Sequence, residues 1–215
     1  MNIFGWVQLI FRSWTQRLSD SFDDCSAPAA RRCHAASVVM QIETISDVGA
    51  NPHGLTQIRQ LCDLAFNGEF GHDDWAHALG GQHVVARLEV TVIGHAAVVT
   101  RRLTIDGAPF NSGYVEAVAT HPDAQASGVG TAVMTAVNDV VRQWFDLGVL
   151  STSAHHFYER LGWERWQGPT SVRRSYGIVR TEDEDDGIMV FVVDSGRAVA
   201  TTGEIMCEER TGDDW

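Results

Sequence analysis

The residues best suited to chemistry lie in one short run that ends in a glycine-bearing turn. Residues 113–122 read Gly-Tyr-Val-Glu-Ala-Val-Ala-Thr-His-Pro, which is typical of a strand, and residues 125–130 read Gln-Ala-Ser-Gly-Val-Gly. Valines at helical spacing follow over residues 129–144, so the turn opens a helix. Backbone N–H groups at a helix N-terminus bind anions, and glycines let a diphosphate approach the main chain closely. The run therefore predicts a strand–turn–helix unit that holds a phosphate-bearing cofactor.

Two common phosphate motifs do not fit this turn. The third glycine of a dinucleotide fingerprint is missing, and no Gly-Lys-Ser/Thr follows as in a Walker loop. A different class of cofactor is therefore expected.

Composition restricts the class of partner. The chain has 215 residues, 44% of them hydrophobic, which is enough for one well-packed domain. Its formal net charge of −12 argues against nucleic acid and favours a cationic partner. Residues 181–215 hold 11 acidic residues against 2 arginines. This run is either a solvated acidic surface or a funnel that gathers a polycation, and composition leaves both open.

Cysteine, histidine and hydropathy patterns point to a cytoplasmic protein without a metal. The cysteines Cys25, Cys33, Cys62 and Cys207 form no Cys-x-x-Cys pair, and no His-Glu-x-x-His motif occurs. We expect reduced thiols and no bound metal ion. No apolar run approaches the roughly 20 residues that a membrane-spanning helix needs.

The chain divides into a short extension and one domain. Residues 1–37 carry an apolar stripe at helical spacing, which fits either a membrane-surface or partner helix or an appended segment with no defined role. We favour the appended segment and expect it to be poorly ordered. Residues 38–215 are expected to form the domain.

The remaining pattern predicts an α/β (α+β) fold, a mostly antiparallel twisted sheet flanked by helices. We predict a turn over 51–54 and a hairpin turn at Asp106-Gly107. Strands are predicted over 38–45, 83–88, 92–103, 110–120, 149–153, 164–167 and 188–193. Helices are predicted over 55–66, 73–79, 129–144 and 155–161.

The sequence Gln-x-x-Gly-x-Gly after a strand resembles the acyl-coenzyme A signature of the GNAT superfamily of N-acetyltransferases. Beyond the superfamily, the chain is similar to bacterial aminoglycoside 2'-N-acetyltransferases, from about residue 40 to residue 215. The segments that carry the likeness include Phe66–Phe70, Gly113–Glu116, Leu150–Ala154, Leu161–Trp163, Trp166–Ser171, Arg180-Thr181 and Met206–Trp215. The resemblance implies a GNAT fold, acetyl-CoA as co-substrate, an aminoglycoside substrate and a homodimer.

The resemblance also implies two catalytic residues. An alkyl ammonium has a pKa of about 10 and no lone pair, so a base must remove its proton. Glu116 would accept it through ordered water, and its apolar neighbours in the strand would make it a better base. Tyr158 would give a proton to the coenzyme A thiolate. The run from Ser153 to Tyr158 is about two residues shorter than in the relatives, which leaves the aim of Tyr158 less defined.

Further positions are carried over as binding residues. The main chain at Ala117 or Val118 would polarise the thioester carbonyl, and Val118 and Thr120 would pair with the pantetheine arm. The expected cofactor-binding residues are Ala117, Val118, Ala119, Thr120, Gln125, Ala126, Ser127, Gly128, Val129 and Gly130. The expected substrate-binding residues are Glu69, Asp74, Glu116, Ser151, Asp185 and Trp215, the last through its α-carboxylate. The acidic run 183–186 is one residue longer than expected, so Glu184 competes with Asp185.

Two other functions remain open at this stage. One is a GNAT enzyme for another amine, such as a polyamine or a cell-wall amino sugar. The other is a non-catalytic module that senses acyl-CoA or sequesters the drug.

Overall fold

The computed structural model describes residues 39–46, 52–194 and 199–215, so the expected extension over residues 1–37 lies outside it. The described chain contains ten strands and four α-helices. The strands are β1 (Met40–Ile45), β2 (Gln82–Leu88), β3 (Thr91–Ile105), β4 (Ala108–Thr120), β5 (Leu147–Ser151), β6 (Glu164–Arg165), β7 (Thr170–Arg174), β8 (Gly177–Arg180), β9 (Ile188–Val192) and β10 (Ile205–Glu208). The helices are α1 (Pro52–Ala65), α2 (His72–Ala78), α3 (Val129–Trp144) and α4 (His155–Glu159).

All ten strands form one mixed sheet. Its main order is β6-β9-β5-β4-β3-β10-β7-β8, and the β1–β2 pair joins β3 along residues 91–98. Only two pairs are parallel, β4 with β5 and β10 with β7. The predicted mostly antiparallel sheet is therefore confirmed, and the C-terminal strand lies inside it rather than at an edge.

Helix α3 packs directly on the sheet behind the glycine turn. Val133, Met134 and Val137 are buried in one apolar cluster with Val98 of β3. A Cβ placed on Gly94 would lie 2.6 Å from a methyl carbon of Val129, so only glycine lets the helix approach β3 this closely. This packing fixes the start of α3 next to the end of β4.

The turn chemistry explains one success and one error of the sequence prediction. Asp106 and Gly107 both have positive φ angles, 48° and 78°, as a two-residue hairpin turn between β3 and β4 requires. The turn predicted at 51–54 is wrong over its described residues, because Pro52 begins helix α1. Proline is favoured at the first helical position, where its missing N–H has no partner to lose. Strands β7, β8 and β10 were not predicted.

Strand β4 contains a bulge and then separates from β5. His95 pairs with Ala119 but Ala97 pairs with Glu116, so β4 holds one more residue than β3 across this interval. Ala117 has a φ of 50°, in the left-handed region. The described pairing of β4 with β5 covers only Ser112–Tyr114. Beyond Tyr114, β4 continues to pair with β3 on one side and has no described pairing with β5 on the other.

Candidate active site

The glycine turn has the backbone of an anion-binding loop. Ala126 and Gly128 have φ angles of 59° and 91°, and α3 begins at the next residue, Val129. The first N–H groups of a helix have no partner within the helix, and the helix dipole favours negative charge there. The side chain of Ser127 donates to the carbonyl of Ala124 at 2.6 Å and holds the turn closed.

This loop lies next to both β4 and α4. A Cβ on Gly130 would lie 3.4 Å from the hydroxyl oxygen of Thr120 and 3.4 Å from the ring of Phe157. The predicted cofactor-binding positions on β4 and in the turn therefore meet at one place, and α4 borders it.

Glu116 lies on β4 beside the bulge and is held by an arginine. Nη1 of Arg210 donates to Oε1 of Glu116 at 2.6 Å, and the two side chains are only 16% and 15% exposed. Arg210 also donates to the backbone carbonyl of Asp213 at 2.6 Å. Sequence reasoning did not find Arg210, which lies 94 positions from Glu116. The ion pair ties the candidate base to the C-terminal segment.

Tyr158 lies on α4 in an apolar setting. Its ring packs edge-on against Phe157 and Trp163, and Val118 packs against the same cluster. Burial raises the pKa of Tyr158 to about 12. The hydroxyl is therefore protonated at neutral pH, as a proton donor must be.

An acidic cavity of about 470 Å³ lies between the segment after β8 and the C-terminal residues. Its lining residues are Arg174, Arg180, Thr181, Glu182, Asp183, Glu184, Asp213, Asp214 and Trp215. Burial, and then the neighbouring Asp213, Asp183 and Asp214, raise the pKa of Glu184 to about 7. A cation entering this cavity would relieve the repulsion among these carboxylates.

Asp185, predicted to contact substrate, is hydrogen-bonded to Arg180 and to the backbone of Thr170. Oδ1 accepts from Arg180 Nη1 at 2.7 Å and from the backbone N–H of Thr170 at 3.0 Å, and Oδ2 is paired with Arg180 Nη2. The hydrogen bonds from Arg180 lead the causes that lower the pKa of Asp185. Of the two rival acids, Glu184 lines the cavity, whereas Asp185 fastens β7 to the segment after β8.

Trp215 and Ser151 border the same region. The Trp215 indole is buried, its Nε1 donates to Thr181 Oγ1 at 3.1 Å, and its backbone oxygen lies 3.5 Å from Arg210 Nη2. A Cβ on Gly187 would lie 3.1 Å from Ser151 Oγ and 3.8 Å from Glu184 Oε2. Ser151 at the end of β5 is therefore a near neighbour of Glu184.

The remaining predicted acids lie around α2. Glu69 is exposed in the loop before the helix, and Asp74 Oδ2 accepts from the backbone N–H of Gly71 at 2.6 Å. Helix α2 also contacts the C-terminal segment, since His77 Nε2 lies 2.7 Å from the carbonyl oxygen of Thr211. One oxygen of Asp74 is thus used in capping the helix.

Two other kinds of reactive group, a cysteine thiolate and a metal cluster, were also sought among the described residues. Burial raises the pKa of Cys62 to about 12 and of Cys207 to about 11, so neither is a thiolate nucleophile at neutral pH. Residues 39–46, 52–194 and 199–215 contain no group of three metal-binding side chains. No helix within those ranges has the length and apolar character needed to cross a bilayer.

Comparison with known proteins agrees with this geometry. Residues 49–166 match the family model described as an acetyltransferase (GNAT) domain. An aminoglycoside 2'-N-acetyltransferase from Mycolicibacterium fortuitum is 45% identical over 161 residues, which cover 73% of this chain and 83% of that protein.

Solved structures show the same fold. A GNAT family N-acetyltransferase from Escherichia coli in complex with CoA has a TM-score of 0.59 at 16% identity and covers 88% of this chain and 98% of its own. A GNAT family acetyltransferase from Brucella melitensis in complex with acetyl-CoA has a TM-score of 0.52 at 19% identity, with 78% and 95% covered. The chain spans 33–34% of the length of some other, larger matched structures.

The family model makes the chain an acetyltransferase, and the solved structures share its GNAT fold. With the identity to the mycobacterial relative, the chain belongs to the aminoglycoside 2'-N-acetyltransferase family of the GNAT superfamily.

Proposed function

We propose that this enzyme transfers the acetyl group of acetyl-CoA to the 2'-amino group of an aminoglycoside. The observation that carries the proposal is the acidic cavity joined to Glu116 through Arg210. An aminoglycoside carries several ammonium groups, and several carboxylates in one cavity match that charge pattern. The 45% identity to a protein with this activity supports the same choice of substrate.

The proposed reaction is a direct attack. Glu116 takes the proton of the 2'-ammonium group through water, and the freed nitrogen forms a bond to the thioester carbonyl carbon. The carbon–sulfur bond then breaks, and the leaving thiolate takes a proton from the hydroxyl of Tyr158. The nitrogen, which still carries one excess proton after the attack, gives that proton through water to the Tyr158 phenolate and leaves the neutral amide. Arg210 fixes the orientation of the Glu116 carboxylate toward this step. No protein nucleophile takes part, so no covalent intermediate forms on the enzyme.

The two substrates would occupy neighbouring parts of the molecule. The diphosphate of acetyl-CoA lies on the N–H groups from Gln125 to Gly130, and the pantetheine arm runs along Val118 and Thr120 in the gap between β4 and β5. The other ammonium groups of the drug lie against Glu184, Asp213 and Asp214, with Ser151, Glu69 and Asp74 at the border. Glu184 replaces Asp185 in this assignment, because Arg180 already occupies both oxygens of Asp185.

Thiol release from acetyl-CoA tests the proposal with two drugs. Tobramycin has a 2'-amine and kanamycin A has a 2'-hydroxyl. Release with tobramycin alone is the expected result. Release with both drugs would mean that the enzyme acetylates an amine other than the 2'-amine. Release with neither, while CoA still binds, would refute the choice of substrate.

A non-catalytic sensor or sequestering module makes a different prediction for Glu116→Gln. An enzyme loses turnover in this variant and keeps its affinity for acetyl-CoA. A sensor has no turnover to lose, so a loss of turnover in Glu116→Gln would exclude the sensor. Unchanged acetyl transfer in the variant would show instead that Glu116 is not the base.

We also propose a homodimer that acts in the cytoplasm, confers antibiotic resistance and keeps its fold without residues 1–37. Family resemblance supports the first three features, and the acetyltransferase match from residue 49 supports the fourth. Sedimentation tests the homodimer, and cell fractionation tests the cytoplasmic location. Drug susceptibility of expressing cells tests the resistance. Activity of a chain that starts at residue 38 tests whether the fold needs residues 1–37.

A further inference from the structure

Two buried histidines that the proposed mechanism does not use lie beside the bulge of β4. His83 on β2 and His95 on β3 are both fully buried. Nδ1 of His83 lies 2.9 Å from Nε2 of His95, and Nδ1 of His95 lies 2.9 Å from the carbonyl oxygen of Ala117. A continuous chain of hydrogen bonds therefore runs across two strands and ends on the bulged residue.

The chemistry of the partners fixes where the protons are. A carbonyl oxygen only accepts, so Nδ1 of His95 must carry its proton. In a neutral ring Nε2 of His95 is then an acceptor, and Nδ1 of His83 must donate to it. Burial lowers the pKa of His95 to about 3 and of His83 to about 4, which agrees with two neutral rings. Nε2 of His83 is a buried acceptor with no partner among the described residues.

The chain of bonds ends at a strained position of the backbone. Ala117 has a Cβ and yet a φ of 50°, a conformation that L-residues other than glycine adopt at a cost. The register shift leaves Ala117 and Val118 outside the regular pairing with β3. The ring of His95 supplies the hydrogen bond that the Ala117 carbonyl would otherwise lose to the bulge.

One peptide group links this contact to the reaction. In a trans peptide the carbonyl of Ala117 and the N–H of Val118 point in opposite directions. When His95 binds the carbonyl, the N–H is directed away from the histidine. Val118 lies where β4 no longer pairs with β5, so its N–H is free of that strand.

We propose that His95, oriented by His83, is a positioning residue that aims the Val118 N–H at the thioester carbonyl of acetyl-CoA. The proposal rests on the proposed use of the β4 main chain as an oxyanion donor. The histidines touch neither substrate and act through the peptide between Ala117 and Val118. Neutral rings keep the direction of the hydrogen bonds constant across the working pH range.

Isotope-edited infrared spectroscopy of bound [1-¹³C]acetyl-CoA tests the proposal without any amine. Polarisation by the Val118 N–H lowers the carbonyl stretching frequency relative to acetyl-CoA in solution. In His95→Leu the frequency should return toward the solution value, and kcat should fall by about tenfold to a hundredfold, at most the lower end of the roughly 10²–10³-fold loss for a removed oxyanion donor. The KM for acetyl-CoA should change little, since the diphosphate loop is untouched. A failed choice of amine would leave the infrared result intact, so the two failures are distinguishable.

Three further variants separate positioning from structural support. His95→Asn keeps a donor near the place of Nδ1 and should retain more of the frequency shift than His95→Leu. His83→Phe keeps a planar ring and removes the donor to His95, so it should give a smaller change in the same direction. Trp166→Phe is the matched control, because it deletes another ring N–H that donates to a carbonyl, that of Gly203 at 3.0 Å. It should lower the unfolding temperature and leave the frequency unchanged.

Each other result overturns the proposal. A wild-type frequency and kcat in a folded His95→Leu protein would make the pair purely structural. So would a frequency change in Trp166→Phe equal to that in His95→Leu. If His95→Leu does not fold, the His83→Phe protein decides. Unchanged frequency and kcat in that protein would exclude the orientation of His95 by His83 and would overturn the proposal.

Discussion

Glu184→Gln should stabilise the ligand-free protein at high pH and have little effect at low pH. Burial and three neighbouring carboxylates raise the pKa of Glu184 from 4.5 to about 7 in the folded chain. The folded protein therefore disfavours the charged carboxylate of Glu184. As a result, the free energy of unfolding of the wild type falls as pH rises from about 4.5 to 7. Glutamine carries no charge, so the variant does not share this loss.

The size of the effect follows from the same shift. A pKa that moves from 4.5 to about 7 corresponds to about 3 kcal/mol between the charged and neutral forms. Because the side chain is only half-buried, solvent screening reduces the expected effect to about 1–1.5 kcal/mol. The difference in free energy of unfolding between variant and wild type should approach this value at pH 8 and shrink toward pH 4.5.

Urea unfolding of both proteins between pH 5 and pH 8 measures this difference. Asp185→Asn is the control with the opposite sign, since hydrogen bonds from Arg180 lower the pKa of Asp185 below 3.8. Asp185→Asn should lower the free energy of unfolding by an amount that does not change between pH 5 and pH 8, because the wild-type carboxylate is charged throughout this range. A Glu184→Gln difference that stays constant from pH 5 to pH 8 would refute the reasoning.

Three other variants separate the steps of the reaction. Glu116→Gln should lower kcat by about 10²–10⁴-fold, the range for loss of a general base, and calorimetry should find the affinity for acetyl-CoA unchanged. Tyr158→Phe should lower kcat for acetyl-CoA and leave the KM of the amine near its wild-type value in steady-state assays. The defect should shrink with a thioester whose leaving thiol is more acidic, and an equal defect would argue against proton donation. Gly128→Ala places a Cβ at a φ of 91°. The free turn is expected to relax out of this strained conformation, and since restoring it costs about 1 kcal/mol, CoA should bind several-fold more weakly. Equal affinity would show that the turn keeps its conformation in spite of the added Cβ.

Local signals in the sequence were enough for the part of the fold that we propose binds acetyl-CoA. The turn residues Asp106 and Gly107 indicate the hairpin of β3 and β4, and the spacing of the valines indicates α3. Both signals come from residues that are close together in the chain. Helix α3 was predicted with the bounds that the structure has, Val129–Trp144. Strand β10 has only four residues and owes its existence to pairing with β3 and β7, which no local pattern reveals.

The site residues divide in the same way. The sequence pointed to Glu116 and the glycine turn as site residues because they share one continuous motif. Arg210 was missed because its partner Glu116 is 94 positions away. The choice between Glu184 and Asp185 depends on which carboxylate Arg180 reaches, and adjacent acids in one sequence run carry no sign of that.

The position of β10 between β3 and β7 has a consequence for the order of folding. Segments from β3 to α3 are consecutive, so their contacts close short loops, whereas β10 joins Leu103 to Cys207 across most of the domain. Short loops close at a lower entropic cost and form earlier. The segments from β3 to α3, which we propose bind acetyl-CoA, should therefore assemble first. The acidic cavity should form only when β10 inserts between β3 and β7. Hydrogen exchange should then show opening of β10 at a lower free energy than that of α3.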